Sequence, residues 1–191
     1  MKKINHIPTN LEKILLISIL TFFIFLTRGS HLLTSFSLPD ASFVLFFVGG
    51  MFLKEYKWLC YFLVISFGID LLSPPPELDN LYLLNLGYFG LIISYFLSWI
   101  LGEYLNRTSI FSTKKFFAIS LLLIVSSYLI STLTFYYFSA SQIQQNVYDF
   151  VLLYFREFFI VNTVYILILL VLIKTYLYVF RNDKVSKIES I

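Results

Sequence analysis

Apolar and polar positions alternate along this chain in long blocks, not residue by residue. Apolar runs fall near Leu11–Thr27, Asp40–Leu53, Tyr56–Leu72, Leu81–Leu105, Lys115–Phe138 and Val147–Phe180, each rich in Leu, Ile and Phe. In lipid, where no water pairs with the backbone, runs of this kind are helices. The pattern therefore predicts an all-α integral membrane protein, with six transmembrane helices in a single domain over residues 1–180. Residues 181–191 read as a flexible, solvated cytoplasmic tail. The clearest break is Ser73-Pro74-Pro75-Pro76-Glu77-Leu78-Asp79-Asn80, where three prolines cannot continue a helix. The last run is too long for a simple span and should tilt or protrude near Lys174.

The second run departs from the rest. After Asp40 it is about 13 residues long, roughly 20 Å as a helix, against a bilayer core of roughly 30 Å. Before it, residues 28–40 carry Arg28, His31, Asp40 and a Ser/Thr cluster. Residues 35–39 should therefore enter the membrane face as ordered non-helical backbone, which is tolerated only where protein or a water-filled cavity receives it. The stretch reads as one wall of a ligand site.

Charge placement orients the bundle. Lys2, Lys3, Lys13, Lys54, Lys57, Arg107, Lys114, Lys115, Lys174, Arg181, Lys184 and Lys187 all fall on one side if there are six spans, which predicts that both termini are cytoplasmic. The opposite loops hold Glu77 and Asp79 and no lysine.

Composition agrees: 59% of the 191 residues are hydrophobic and 13% charged, with a mean hydropathy of +0.83. The first run ends at Thr27-Arg28 without a small-residue cleavage site, so it reads as a retained span. A single cysteine, Cys60, excludes an intrachain disulfide and reads as a small buried hydrophobe. Neither a Gly-rich phosphate loop nor a His/Glu metal motif is present in the sequence, so no ATPase is expected within it, and no nucleophile–base constellation marks an enzyme.

Ionisable groups at membrane depth mark a site or a buried pair. The candidates are Arg28, His31, Asp40, Asp70, Asp149, Arg156 and Glu157, all toward the non-cytoplasmic half. Arg28 has snorkelling as its plain role, and Asp40, after Pro39, has helix capping. Asp70 is the least explained by structure. Asp149 and Arg156 share a helical face, as an internal pair or as ligand contacts, while Glu157 points toward another helix. In the fourth run Asn85, Tyr88, Tyr95 and Trp99 lie on one stripe, either for packing or, at Asn85 and Tyr88, for a large amide-bearing ligand.

Arg28-Gly-Ser-His31, Leu38-Pro39-Asp40-Ala41-Ser42, Phe46-Phe47-Val48-Gly49-Gly50, Ile69-Asp70 and the Gly87-Tyr88…Ser94-Tyr95…Trp99…Gly102 spacing resemble the BtuM family, solitary cobalamin transporters of Gram-negative inner membranes. The similarity is densest over residues 28–105. It implies a six-helix bundle like the substrate-binding S-components of energy-coupling-factor vitamin transporters, in a bacterial inner membrane and without a dedicated energising module. The implied outward-facing pocket would take cobalamin or another corrinoid, reached by a periplasmic supply route, through His31, Asp70, Tyr88 and Arg156. The partners implied are this vitamin and the lipid bilayer, with no nucleic acid and no cofactor of the protein's own.

One position departs from the family. Leu83 stands where members carry a cysteine whose sulfur would ligate cobalt and assist loss of the upper axial ligand. Leucine cannot form that bond, so no such chemistry is expected; His31 offers an imidazole as the other conceivable cobalt ligand. Leu83 instead contributes shape and van der Waals contact. The substrate-binding set is thus His31, Asp70, Leu83, Asn85, Tyr88 and Arg156, with Arg28, Asp40 and Tyr95 as secondary candidates. Two alternatives stay open: an S-component for another vitamin docking on a shared module, disfavoured because Ile14 to Phe25 contains Ser18 but no alanine or glycine for close helix approach, and a non-transporting MreD-like scaffold.

Overall fold

The computed structural model describes residues 10–28, 39–72, 87–107, 112–139 and 146–189, with side-chain environments up to Thr175. All the secondary structure in these residues is helical: α1 (Asn10–Arg28), α2 (Ser42–Phe52), α3 (Tyr56–Leu72), α4 (Gly87–Arg107), α5 (Thr113–Ser139) and α6 (Val147–Glu189). Of these, α1, α4, α5 and the Val147–Thr175 part of α6 are long and apolar enough to cross a membrane. The chain is a membrane-embedded helical protein.

The organising element is α2. Nine of its eleven residues are buried, including Phe46 and Phe47 at 0% exposure, and it touches each of the other five helices. A helix this short and apolar on every face is stable only inside a protein core. Its closest neighbour is α4, and glycine sets the approach. A Cβ on Gly50 would run into the Trp99 backbone, one on Gly102 into the Phe47 carbonyl, and one on Gly49 would stand 2.5 Å from the Trp99 ring. Along α4 a stripe of Gly90, Ser94, Ser98 and Gly102, all buried, repeats every four residues, the small-residue spacing that lets membrane helices approach closely. Gly90 meets Thr134 of α5, and Ser94 donates to the Ser127 carbonyl of α5 at 3.2 Å.

At one end of the bundle Lys13 on α1 pairs with Glu55 at 3.1 Å in the α2–α3 turn, and Lys57 pairs with the same carboxylate at 2.5 Å. These hydrogen bonds, from Lys57 first and Lys13 second, hold the Glu55 carboxyl below its ordinary range. The turn is tight: Lys54 has φ 61°, a left-handed conformation that costs a residue with a Cβ about 1 kcal/mol or more.

The last helix continues through residues 181–189, a stretch that contains neither Gly nor Pro to stop it. One expectation changes. Cys60 is exposed, on the outer face of α3, not buried, because the buried positions of that helix are Leu59, Phe62, Ser66 and Ile69.

Candidate functional site

At the opposite end from Lys13 and Glu55, four helix termini converge on one guanidinium. Arg28 is the last residue of α1, and its side chain is 9% exposed. Asp70, in the last turn of α3, faces it side-on: Nε donates to Oδ1 and Nη2 to Oδ2, both at 2.5 Å. This two-point geometry is the strongest that an arginine and a carboxylate form. The remaining nitrogen, Nη1, donates to Asp40 Oδ2 and to Ser42 Oγ at 3.2 Å each, and to the Tyr95 hydroxyl. Tyr88, in the first turn of α4, donates its hydroxyl to Asp70 Oδ2 at 2.7 Å.

Each member is placed by its helix. Asp40 stands one residue before the Ala41 cap of α2, where Oδ1 accepts from the Ser42 backbone N–H at 2.9 Å and from Ser42 Oγ at 2.5 Å. The capping role expected for Asp40 is therefore performed from one position earlier, and the same carboxylate also holds Arg28. Tyr95 lies two turns below Tyr88 on α4, stacked on Phe46 of α2 with centroids 4.5 Å apart and planes within 4°, while the guanidinium carbon sits 5.4 Å from its ring centroid. The preceding backbone is pinned by Tyr165 of α6, which donates to the Pro39 carbonyl at 2.8 Å.

The charges of Arg28, Asp40 and Asp70 leave one excess negative charge. Asp40 is its open end, with a side chain 40% exposed against 16% for Asp70. The junction therefore presents an acceptor outward and keeps its cation inside, so it suits neutral hydrogen-bond donors over anions. Among the described residues no three His, Cys, Asp or Glu side chains stand close enough to hold a metal ion.

Of the residues singled out from the sequence, the structure brings together Arg28, Asp40, Asp70, Tyr88 and Tyr95. Arg28 does not snorkel; it is the hub. His31, Leu83 and Asn85 lie outside the described residues. Arg156 is exposed on α6 and outside the junction. Asp149 and Glu157 are exposed as well, and among the described residues none of the three forms an ion pair. The Asp149 backbone N–H instead bonds Asn146 Oδ1 at 2.9 Å, at the start of α6. Ser42 and the ring of Phe46 are members that sequence reasoning missed. Ser42 had a signal, since Asp-x-Ser ahead of an apolar run is a turn that folds its side chains onto its own backbone.

No family model matches the chain, and none of the curated proteins matches it.

Proposed function

We propose that this chain is a multi-pass uptake protein for a vitamin-class solute, with a corrinoid as the foremost ligand, bound at the end of the bundle that carries Arg28 and Asp70. The observation behind the reading is the convergence of Arg28, Asp40, Ser42, Asp70, Tyr88 and Tyr95 from four helix termini. The segments carrying His31, Leu83 and Asn85 follow α1 and precede α4 in the chain, so they leave from those same termini. The resemblance to the BtuM family supplies the ligand class. In this reading the protein has six spans, with the Lys13, Lys54, Lys57 and Arg107 end cytoplasmic, supported by the rule that basic residues stay inside.

The junction acts as the floor of the site, and the exposed Asp40 carboxylate accepts from the ligand. A corrinoid is ringed by amides, whose N–H groups match such an acceptor. Corrinoid contacts on His31, Leu83 and Asn85 would complete the pocket, with shape at Leu83 in place of a cobalt–sulfur bond. The test is growth of a cobalamin-auxotrophic strain lacking its own importer. Expression should restore growth at low cobalamin, and Asp40→Ala should weaken the rescue; absence of any rescue with the protein present in the membrane overturns the reading.

A second reading, a non-transporting membrane scaffold, is favoured by the closure of the same network, in which Nε, Nη1 and Nη2 of Arg28 all have acceptors. The charge-neutral pair Arg28→Met/Asp70→Leu separates the two. A scaffold keeps its function once the fold is retained, whereas uptake is lost.

A further inference from the structure

Below the junction, α3 and α4 part to leave a cleft of about 230 Å³ lined by Leu63, Val64, Ser66, Phe67, Tyr88, Ile92 and Tyr95. Sequence spacing explains its course. Leu63, Ser66 and Phe67 lie on one face of α3, one to two turns from Asp70, and Tyr88, Ile92 and Tyr95 form one stripe on α4. The cleft therefore descends from the ion pair along the helix seam. Its mouth faces sideways: Val64 is 71% exposed and Phe67 37%, and the flanking Leu71, Phe89, Ile93 and Phe96 are exposed apolar side chains as well. On a membrane-embedded bundle, what meets that face is lipid, not water.

The Tyr88 and Tyr95 hydroxyls at the cleft are partnered in the junction, but that of Ser66 is not. Ser66 is 1% exposed, and its hydroxyl has no hydrogen-bond partner among the described residues. Helical serines and threonines elsewhere in this chain bond the carbonyl four residues back, as Thr27, Ser94, Ser98, Ser126 and Ser131 do. The Ser120, Ser127 and Thr163 hydroxyls are also without hydrogen-bond partners among the described residues, but none of the three lines this cleft. A buried hydroxyl without an acceptor is costly in a membrane interior, and an incoming acceptor would relieve that cost. The volume lies below the roughly 300–1,000 Å³ of sites that enclose drug-sized molecules, and fits a single chain.

We propose that the α3–α4 cleft is a lateral site for a neutral single-chain amphiphile drawn from the bilayer, its chain against Leu63, Val64 and Ile92 and its hydroxyl or carbonyl oxygen accepting from Ser66. The site adjoins the corrinoid floor, and the inference does not depend on that reading. The site shares Tyr88 and Tyr95 with the junction, so an occupant packs against the two rings whose hydroxyls bond Asp70 and Arg28.

The test uses the full chain in lipid nanodiscs and a long-chain alcohol carrying a diazirine near its hydroxyl. After illumination, adducts should concentrate on residues 63–67 and 88–95, saturate with probe, and be displaced by hexadecanol about fivefold more effectively than by hexadecane, the ratio set by one hydrogen bond. Val64→Trp, at the exposed rim and so without consequence for the core, should suppress the labelling. Ser66→Ala should keep it but remove the preference for the alcohol. Unsaturable labelling spread evenly over exposed faces such as Phe22, Leu121 and Leu152, or an alcohol preference that survives Ser66→Ala, overturns the proposal.

Discussion

Arg28 carries more of the structure than any other residue, because its five N–H groups tie α1 to α2, α3 and α4. Without Asp70, Arg28 keeps Asp40 as its counter-charge but loses two charge-assisted hydrogen bonds, and the Tyr88 hydroxyl loses its acceptor, so the cost lies below the about 3–5 kcal/mol of a fully uncompensated buried charge. Asp70→Ala should therefore lower the detergent-solubilised melting temperature, and the apolar double replacement Arg28→Met/Asp70→Leu should recover only part of the loss, because Asp40, Tyr95 and Tyr88 then lose Arg28 or Asp70 as partners; thermal unfolding of the three proteins checks both. Lys54 offers the opposite change. With φ at 61°, Lys54→Gly should stabilise by up to about 1 kcal/mol, because glycine adopts that conformation without a Cβ clash, and equilibrium unfolding measures the difference. Glu55 gives a pH signature. Its carboxyl titrates below the ordinary value of 4.5 in the folded protein because Lys57 and Lys13 donate to it. A depressed folded pKa contributes stability that is present above the unfolded value and is lost as pH falls through the folded one. Glu55→Gln should thus be less stable than the parent near neutrality and equal to it at strongly acid pH; a deficit independent of pH contradicts the pairing.

At the scale of elements, α2 and α4 decide whether the bundle closes. Gly50→Ala and Gly102→Ala each place a methyl group on backbone of the opposing helix, which cannot yield as a flexible side chain does, so each should cost about 1–3 kcal/mol or more. Gly68→Ala, where a Cβ meets nothing within 4 Å, should be neutral or slightly stabilising; comparing their melting temperatures tests the assignment. The helices themselves were legible in the sequence, since runs of Leu, Ile and Phe permit little else in lipid, and Tyr56–Leu72 emerges with the predicted bounds. The place of α2 was not. Its shortness read as a site wall, and its first turn does reach the junction through Ser42; that it is also the core depends on the Gly49-Gly50 contact with Trp99 across nearly fifty residues of chain. Periodicity shows which positions are apolar, but not which helix they meet.

At the scale of the whole molecule, the sequence brought out the right ionisable residues around Arg28 for only part of the right reason. Asp40, Asp70, Tyr88 and Tyr95 stood out as misplaced polarity, yet nothing in their spacing showed that they would satisfy one another around Arg28. Arg156 stood out in the same way and lies exposed on α6, outside the junction. The Arg28–Asp70–Asp40 group at one end and the Lys13–Glu55–Lys57 group at the other put ion pairs of the described residues at both ends of the bundle, and the proposed function places ligand binding at the first of them. That reading stands or falls on a ligand. The visible absorption spectrum of the purified protein, incubated with cobalamin and freed of unbound vitamin, should show corrinoid bands at about one ligand per chain, reduced in Asp40→Ala. A colourless protein whose thermal unfolding is unchanged by cobalamin would contradict it.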